Sequence, residues 1–435
     1  MRDIALFVIA FGLVPFILQN AYIGVLAWSW VSYMNPHRLT WGAAYDFPFA
    51  QLIAITLFIA LLFNRDKKQF PVTRLTVTWI IFLLWTLVTT SFAIYPDAAW
   101  SYELQVFKIQ LILFISMWMM GEEKRIKLMV WVIFFSIGFF GIKGGIFTLS
   151  TGGSGRVYGP PGSFIGDNNH LATALLMILP LGFYLIRHEI KRRDLKLLMY
   201  FFLLMIVASI LGSFSRGAFL AIGAVAFYLW LKTPGKIISG TIGATVLIVL
   251  VMAMPSHWSD RMGTMKEYEQ DQSAQGRLES WQYTINLASN RLTGGGYSSW
   301  SEENFDKWAP PDHGGARAAH SIYFAVLADH GWIGLILFLL VFVQGWFLAG
   351  KIVKAIKARG SPTDEWILGL ASMIKVSLVA YAVGGAFLSL AYFDLPWHLS
   401  AILVLLDMEV RKRGLFIEQN TKKEEVRLPE RFPVR

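Results

Sequence analysis

The chain has 435 residues, of which 55% are hydrophobic and only 16% are charged. With a mean hydropathy of +0.51, this composition excludes an ordinary soluble domain and predicts a polytopic membrane protein. The chain contains no cysteine, which excludes disulfides and thiolate metal sites. The net charge of +10 would favour nucleic-acid binding in a soluble protein; here we attribute it to membrane topology and expect no nucleic-acid partner.

Apolar runs of roughly 17 to 28 residues recur along the chain, and each can cross a hydrocarbon core of about 30 Å. They predict an all-α fold with about twelve transmembrane helices. The alternating segments of about ten residues that a transmembrane barrel needs are absent. The predicted spans are 4–34, 48–63, 74–92, 103–120, 126–149, 168–187, 195–213, 215–231, 236–254, 320–349, 365–391 and 394–410.

The first run is longer than one crossing requires. Residues 4–34 contain Pro15 and Asn20, so they could form either one kinked span or a tight hairpin of two short crossings. We predict a single span kinked at the proline. Its weak basic start, with no small-residue cleavage site after it, indicates an uncleaved span rather than a signal peptide.

Lysine and arginine concentrate in alternate connections between the spans. By the positive-inside rule these connections are cytoplasmic, which predicts that both termini are cytoplasmic and that the hydrophilic segment 255–319 lies outside. Within that segment, residues 273–289 predict a short helix. The predicted organisation is nine transmembrane helices in 1–254, a helical periplasmic loop in 255–319, three more helices in 320–410, and a basic tail near membrane lipids in 411–435.

Several cations fall at the outer leaflet, where the positive-inside rule does not place them. Burying such charges costs several kcal/mol unless a partner compensates, so they are functional candidates. Arginine presents a planar fork of donors that suits phosphate, and a cluster at this depth suits a lipid-linked phosphate or diphosphate. Snorkelling to the interface, or pairing with Asp167 or Glu103, is the structural alternative. The candidates are Lys108, Lys143, Arg156, Arg216, Arg277 and Arg317.

His320 opens the hydrophobic run after the external segment. An imidazole titrates near neutral pH and can take a proton from an attacking hydroxyl, although a lone histidine at a helix start more often makes interfacial hydrogen bonds. Glu279, two residues from Arg277, is a competing base. His330 lies in the apolar part of the same run, where a packing role is expected. The external aromatic residues could stack on sugars or form a small core; they are Trp258, Trp281, Tyr297, Trp300 and Trp308.

No cofactor or metal is expected. Asp312-His313 has no further ligands at an informative spacing, and Gly152-Gly-Ser-Gly155 lacks the Lys-Ser/Thr of a nucleotide-binding loop. The substrate itself would therefore have to supply the energy for any transfer.

Four local patterns resemble the O-antigen ligase and polymerase superfamily of bacterial inner-membrane glycan-transfer proteins. The stretch Ala21 to Trp41 resembles the branch described as O-glycosylation ligases. The four patterns are Arg156 to His170 with Asp167-Asn-Asn-His170, Ser213-Phe-Ser-Arg216-Gly-Ala, Gly276-Arg277-Leu-Glu-Ser-Trp281, and His320-Ser-Ile-Tyr323 with the later Gly331-Trp-Ile-Gly334.

The resemblance implies a metal-independent, GT-C-like glycosyltransferase that takes a glycan from undecaprenyl diphosphate on the periplasmic face. A ligase transfers it to lipid A core; a polymerase extends another chain, and a protein Ser/Thr is a third possible acceptor. By motif position, Arg216 and Arg277 match the diphosphate-binding arginines and His320 the essential histidine. Ser321 stands where the family usually has asparagine, so no role for that amide carries over. The other expected substrate-binding residues are Arg156, Arg317, Asn168, Asn169, Lys108, Lys143 and Tyr323.

A lipid-linked oligosaccharide flippase is the alternative outside the enzyme class. Twelve spans permit it, and Lys375 in the middle of a span fits a transporter better than a transferase. The phosphate-suited cations, however, group at the outer leaflet, which favours the transferase.

Overall fold

The structure is a computed structural model that describes residues 1–64, 69–232, 235–237, 240, 241, 245 and 272–415. All regular structure in these residues is helical, which confirms the all-α prediction. Most of the predicted span 236–254, the start of the external segment and the tail beyond 415 lie outside the described residues. The helices are α1 (Arg2–Gln19), α2 (Ala21–Met34), α3 (Phe49–Phe63), α4 (Arg74–Ser91), α5 (Pro96–Met119), α6 (Glu123–Ser150), α7 (Asn168–Tyr184), α8 (Arg193–Gly212), α9 (Arg216–Lys232), α10 (Gln272–Asn290), α11 (Glu302–Trp308), α12 (Ile322–Arg359), α13 (Glu365–Gly385) and α14 (Asp394–Lys412).

Within the described residues, seven helical segments are long and apolar enough to cross a membrane. They correspond to α1, α4, α6, α7, α8, α12 and α13. The shorter α3 is also apolar, whereas α5 and α14 carry charged side chains along their length. The protein is therefore an all-helical membrane protein, and the count of twelve spans stays a prediction.

The prediction of one kinked span over 4–34 is wrong, because α1 and α2 form an antiparallel hairpin. Asn20 separates them with an extended backbone of φ −142° and ψ 96°. Arg2 donates to the carbonyl of Leu39 at 3.2 Å, and Asp3 accepts from the backbone N–H of Gly42 at 3.0 Å. The start of α1 thus lies beside the loop that follows α2, whereas Pro15 is accommodated inside α1.

This hairpin also overturns the prediction that both termini lie on one side. The loop after α2 carries Arg38, which packs against Gly162 in the loop before α7. We call this end of the bundle, where α7 and α12 begin, the site end. The opposite end, where Arg413 pairs with Glu123 and Asp364 at 2.9 and 2.8 Å, is called the basic end. The N-terminus lies at the site end and the C-terminal end of α14 at the basic end, because the extra crossing reverses the start of the chain.

Helix α13 organises the part of the bundle that carries the site. It packs against α7, α9 and α12, while α6 packs along α8 and α10 packs on α12. Gly145 permits the close approach of α6 to α8, since a β-carbon there would collide with the carbonyl of Met205. The core is made of buried apolar side chains from nearly every helix. The first turns of α7, α9 and α12 are thereby fixed relative to one another.

Candidate functional site

Three helix N-termini converge at the site end around the last turn of α13. Helix N-termini carry partial positive charge and unsatisfied N–H groups, so such a convergence favours an anion. The contacts that bring them together are Gly384 of α13 with Thr173 of α7, Gly385 with Ile322 of α12, and Phe387, just after α13, with Gly217 of α9.

His320 stands immediately before the N-cap of α12, with a left-handed backbone φ of +45° and a side chain that is partly accessible to solvent. The indole of Trp281 on α10 donates to the carbonyl of Ala319 at 2.9 Å. The same indole stacks on Phe324, with ring centroids 4.6 Å apart and 10° between the planes. One side chain therefore holds the backbone on both sides of His320, which keeps a sparsely populated conformation in place.

The charge state of His320 is set by its neighbours. Partial burial lowers the pKa of its imidazole below the usual value, and the positive charges of Arg277 and His170 lower it further. Asp167 acts in the opposite direction. At neutral pH the side chain is therefore a neutral imidazole with a lone pair, which is the form that can accept a proton.

Arg277 is half-buried on α10, and α10 is attached to the segment before His320. The Ser280 hydroxyl donates to the carbonyls of Gly276 at 2.7 Å and Arg317 at 3.3 Å. Arg317 is exposed, donates to the carbonyl of Gly314 at 2.9 Å and lies against Gly276. Arg277 thus acts electrostatically on His320. Arg317 lies in the turn that connects α10 to the segment before His320.

Arg216 begins α9 and is half-buried there. The residues before it form a tight turn in which Phe214 has φ +57° and Ser215 accepts from the N–H of Ala218 at 3.2 Å. Asn168, at the start of α7, donates to the carbonyl of Ser213 at 2.6 Å. Asn168 is buried in this contact, so its observed role is to tie the start of α7 to the turn that carries Arg216.

Two further predicted residues lie in the loop that leads into α7. Arg156 is exposed beside Val157, whose N–H donates to the carbonyl of Gly212 at 3.2 Å. Asn169 bonds Asp167 through both its backbone N–H and its side-chain amide, at 2.8 and 3.0 Å. Arg156 is thus placed near the turn that leads into α9, while Asn169 completes a local helix cap.

A cavity of about 790 Å³ lies between α2, α3 and α5 and reaches the site. Lys108 and His170 both line it, together with apolar side chains such as Ile55, Phe58 and Ile112. His170 on the cavity wall also acts electrostatically on His320 and so links the cavity to the histidine. Its mixed lining suits the junction between a lipid chain and an anionic headgroup.

Two further predicted substrate-binding residues are Lys143 on α6 and Tyr323 in the first turn of α12. Lys143 is exposed on α6, where its neighbour Gly144 packs against Ser209 and Val157. The hydroxyl of Tyr323 donates to the carbonyl of Ala382 at 2.7 Å, which ties α12 to α13. Tyr323 therefore has a structural contact, and the substrate-binding roles expected for Lys143 and Tyr323 stay predictions.

The competing acids and the possible metal ligands have identifiable contacts. Glu279 accepts from the N–H of Gly314 at 3.1 Å, in the turn that holds Arg317. His313 lies 3.1 Å from Asp306 rather than beside Asp312. Among the described residues there is no group of three or more metal-ligating side chains.

Sequence reasoning missed a break inside α12, next to the site. Gly331 has φ +65° and ψ −171°, which releases the preceding carbonyls from the helix ladder. Gly295 and Gly296 donate their N–H groups to the carbonyls of Ala328 and Asp329 at 2.7 and 3.0 Å. The glycine run Gly294–Gly296 and Gly331 are both visible in the sequence, but their contact in the folded chain cannot be seen there.

His330 and Lys375 also have packing contacts. His330 is fully buried and its Nδ1 lies 2.6 Å from the hydroxyl of Thr89. The ammonium of Lys375 lies 4.2 Å from the ring centroid of Trp346 on α12, a cation–π contact within the bundle. The structure therefore gives Lys375 a partner that requires no transport path.

Two family models match the chain. Residues 200–339 match the model described as O-Antigen ligase, a stretch that contains Arg216, Arg277 and His320. Residues 1–190 match a family of unknown function (DUF5935). No curated protein matches the chain.

Proposed function

Because the chain belongs to the O-antigen ligase superfamily, a group of glycan-transferring membrane proteins, we propose that it is an O-antigen ligase. The donor is a glycan on undecaprenyl diphosphate, and the acceptor is a sugar of lipid A core. The reaction takes place at the periplasmic face of the bacterial inner membrane. The observation that supports the proposal most is the placement of Arg277 and His320 beside three converging helix N-termini.

In the proposed reaction, His320 acts as the general base. An acceptor hydroxyl attacks the anomeric carbon of the donor sugar while the imidazole takes the hydroxyl proton. A glycosidic C–O bond forms, and the bond between the anomeric carbon and the diphosphate oxygen breaks. The lowered pKa of His320 supports this role, since the base must be unprotonated before it accepts a proton.

The leaving group is undecaprenyl diphosphate, which gains negative charge as the bond breaks. Arg216 and Arg277 bind this diphosphate through charge-assisted hydrogen bonds, with Arg156 and Arg317 in support. The N-termini of α7, α9 and α12 add a fixed positive potential at the same place. Cleavage of the bond between the anomeric carbon and the diphosphate oxygen supplies the energy, so the reaction needs no metal or nucleotide.

A growing polysaccharide or a protein Ser/Thr would use the same donor chemistry, so the acceptor is tested directly. Purified protein in vesicles receives the donor already in the leaflet that faces the site, together with lipid A core, a glycan or a peptide. We expect product by mass analysis with lipid A core. Product with another acceptor alone would replace the ligase by a polymerase or a protein transferase. A protein that moves donor between leaflets but forms no product would be a flippase.

A further inference from the structure

A second, smaller cavity of about 190 Å³ lies beside the segment that leads to His320. We call it the aromatic pocket, because Tyr102, Tyr297, Trp300 and Tyr392 line it, with Asp329 as its carboxylate. Its volume is below the range of about 300–1,000 Å³ that drug-sized ligands occupy. The pocket therefore suits a single small ring rather than an extended chain.

Asp329 supplies a carboxylate on the wall of the pocket. The residue is 5% exposed, and its Oδ2 accepts a hydrogen bond from the hydroxyl of Tyr392 at 2.8 Å. Its Oδ1 has no hydrogen-bond partner among the described residues. A buried carboxylate oxygen without a partner is costly, and a donor on a bound ligand would remove that cost.

The walls of the pocket are rigid aromatic surfaces. Tyr297 packs against Tyr102 and Tyr392, with ring centroids 4.9 and 5.0 Å apart. Tyr297 also meets His330 edge-on at 4.7 Å. Aromatic faces beside a carboxylate match a ligand with both C–H faces and hydroxyl groups, which is the chemistry of a sugar ring.

The pocket is joined to the site on two sides. Ala318 and Ala319, the residues just before His320, form part of its wall. Tyr102 and Ser389 line both this pocket and the larger cavity that contains Lys108. A molecule with a lipid chain and a sugar could therefore place its chain in the larger cavity and its ring in the pocket.

We propose that the aromatic pocket binds the first sugar ring of the lipid-linked donor, with Asp329 Oδ1 accepting a hydrogen bond from a ring hydroxyl. This rests on the proposed glycan transfer, because the ring must present its anomeric carbon near His320. Asp329 is a binding residue here, and it takes no proton in the reaction.

The test compares the binding of two probes to purified protein in nanodiscs without acceptor. One probe is undecaprenyl diphosphate, and the other is the same lipid carrying one N-acetylhexosamine. We expect wild type to bind the sugar-bearing lipid about tenfold or more tightly, as a hydrogen bond to a charged group predicts. Asp329→Asn and Ala325→Leu, which fills the pocket from α12, should each bring the two affinities to within about twofold.

The control is Asp306→Asn, which makes the same change on an exposed carboxylate of α11 and should keep the preference. Ala325→Leu leaves the bond between Asp329 and Tyr392 in place, so it tests the pocket even if Asp329→Asn does not fold. A preference retained in both pocket variants, or absent from wild type, would overturn the proposal. Arg277→Gln should weaken the binding of both probes to the same degree. Unchanged binding of both probes by this variant would count against the proposed diphosphate site and not against the aromatic pocket.

Discussion

Cations at the two ends of the bundle have different surroundings. At the basic end, the Arg413 guanidinium meets the carboxylates of Glu123, Asp364 and Glu409 at 2.7–2.9 Å, and its side chain is only 25% exposed. At the site end, Arg277 acts on a histidine, close to the first turns of three helices. The first arrangement pairs a cation with carboxylates inside the protein, whereas the second groups a cation, a histidine and helix N-termini at one end of the bundle.

This contrast separates structural cations from functional ones. Carboxylates that pair with a cation hold it in one geometry, and they leave little positive electrostatic potential to attract an anionic ligand. At the site end, helix N-termini and the neutral form of an imidazole add no negative charge, and helix N-termini favour an anion. The contrast predicts that substitutions at the site end reduce transfer, and that substitutions at the basic end reduce stability.

The largest effect is expected for His320→Ala. Removing the base should lower turnover by about 10²–10⁴-fold, the usual contribution of general base catalysis, while the lipid-linked donor still binds. Turnover and donor affinity are measured on the same purified protein. His313→Ala is the matched control, because that histidine contacts Asp306 in the external turn and should leave turnover within about twofold.

Arg277→Gln is expected to reduce turnover by roughly 10²-fold, as loss of one charge-assisted contact in the transition state predicts. It should also change the pH profile. Arg277 lowers the pKa of His320, so its removal raises that pKa and moves the acid limb of the rate profile to higher pH. If the variant is slower at every pH but the acid limb stays at the same pH, Arg277 does not act on the pKa of His320.

Arg413→Ala should act on stability rather than on chemistry. It leaves Asp364 and Glu409 without their shared cation, which we expect to cost about 2–4 kcal/mol of unfolding free energy. Turnover per folded molecule should stay unchanged. Arg192→Ala is the control, since the side chains of its pair with Asp194 are 72% and 60% exposed and the pair should contribute far less to the unfolding free energy.

The smallest effect is expected for Tyr323→Phe. The hydroxyl donates to the carbonyl of Ala382, so its loss should cost about 1 kcal/mol of stability. The KM for the donor should stay within about twofold of wild type. An increase in KM of tenfold or more, without loss of stability, would return Tyr323 to the substrate-binding residues.

The sequence predicted the helical membrane fold and most helix positions, and the functional grouping of Arg216, Arg277 and His320 stays a prediction. Hydrophobic length and charge placement are local properties, so they can be read without a structure. The hairpin at Asn20 was missed because a 31-residue apolar run is compatible with one crossing or two.

The aromatic pocket could not be predicted, because it depends on long-range contacts. Tyr102 lies on α5, Asp329 on α12 and Tyr392 in the turn between α13 and α14, and Gly331 meets the glycines after α10 only in the folded chain. The same holds for Asn168 and Tyr323, whose backbone contacts give them structural roles that the motifs did not indicate.

The most direct test of the proposed transfer measures both products of the reaction at once. Purified protein is mixed with undecaprenyl-diphosphate-linked glycan and lipid A core in the presence of EDTA, and released undecaprenyl diphosphate and glycosylated acceptor are quantified together. We expect one lipid diphosphate for each new glycosidic bond with wild type, and neither product above background with His320→Ala. Near-normal turnover by the variant would contradict the role of His320, and loss of wild-type turnover in EDTA would contradict metal-independent transfer.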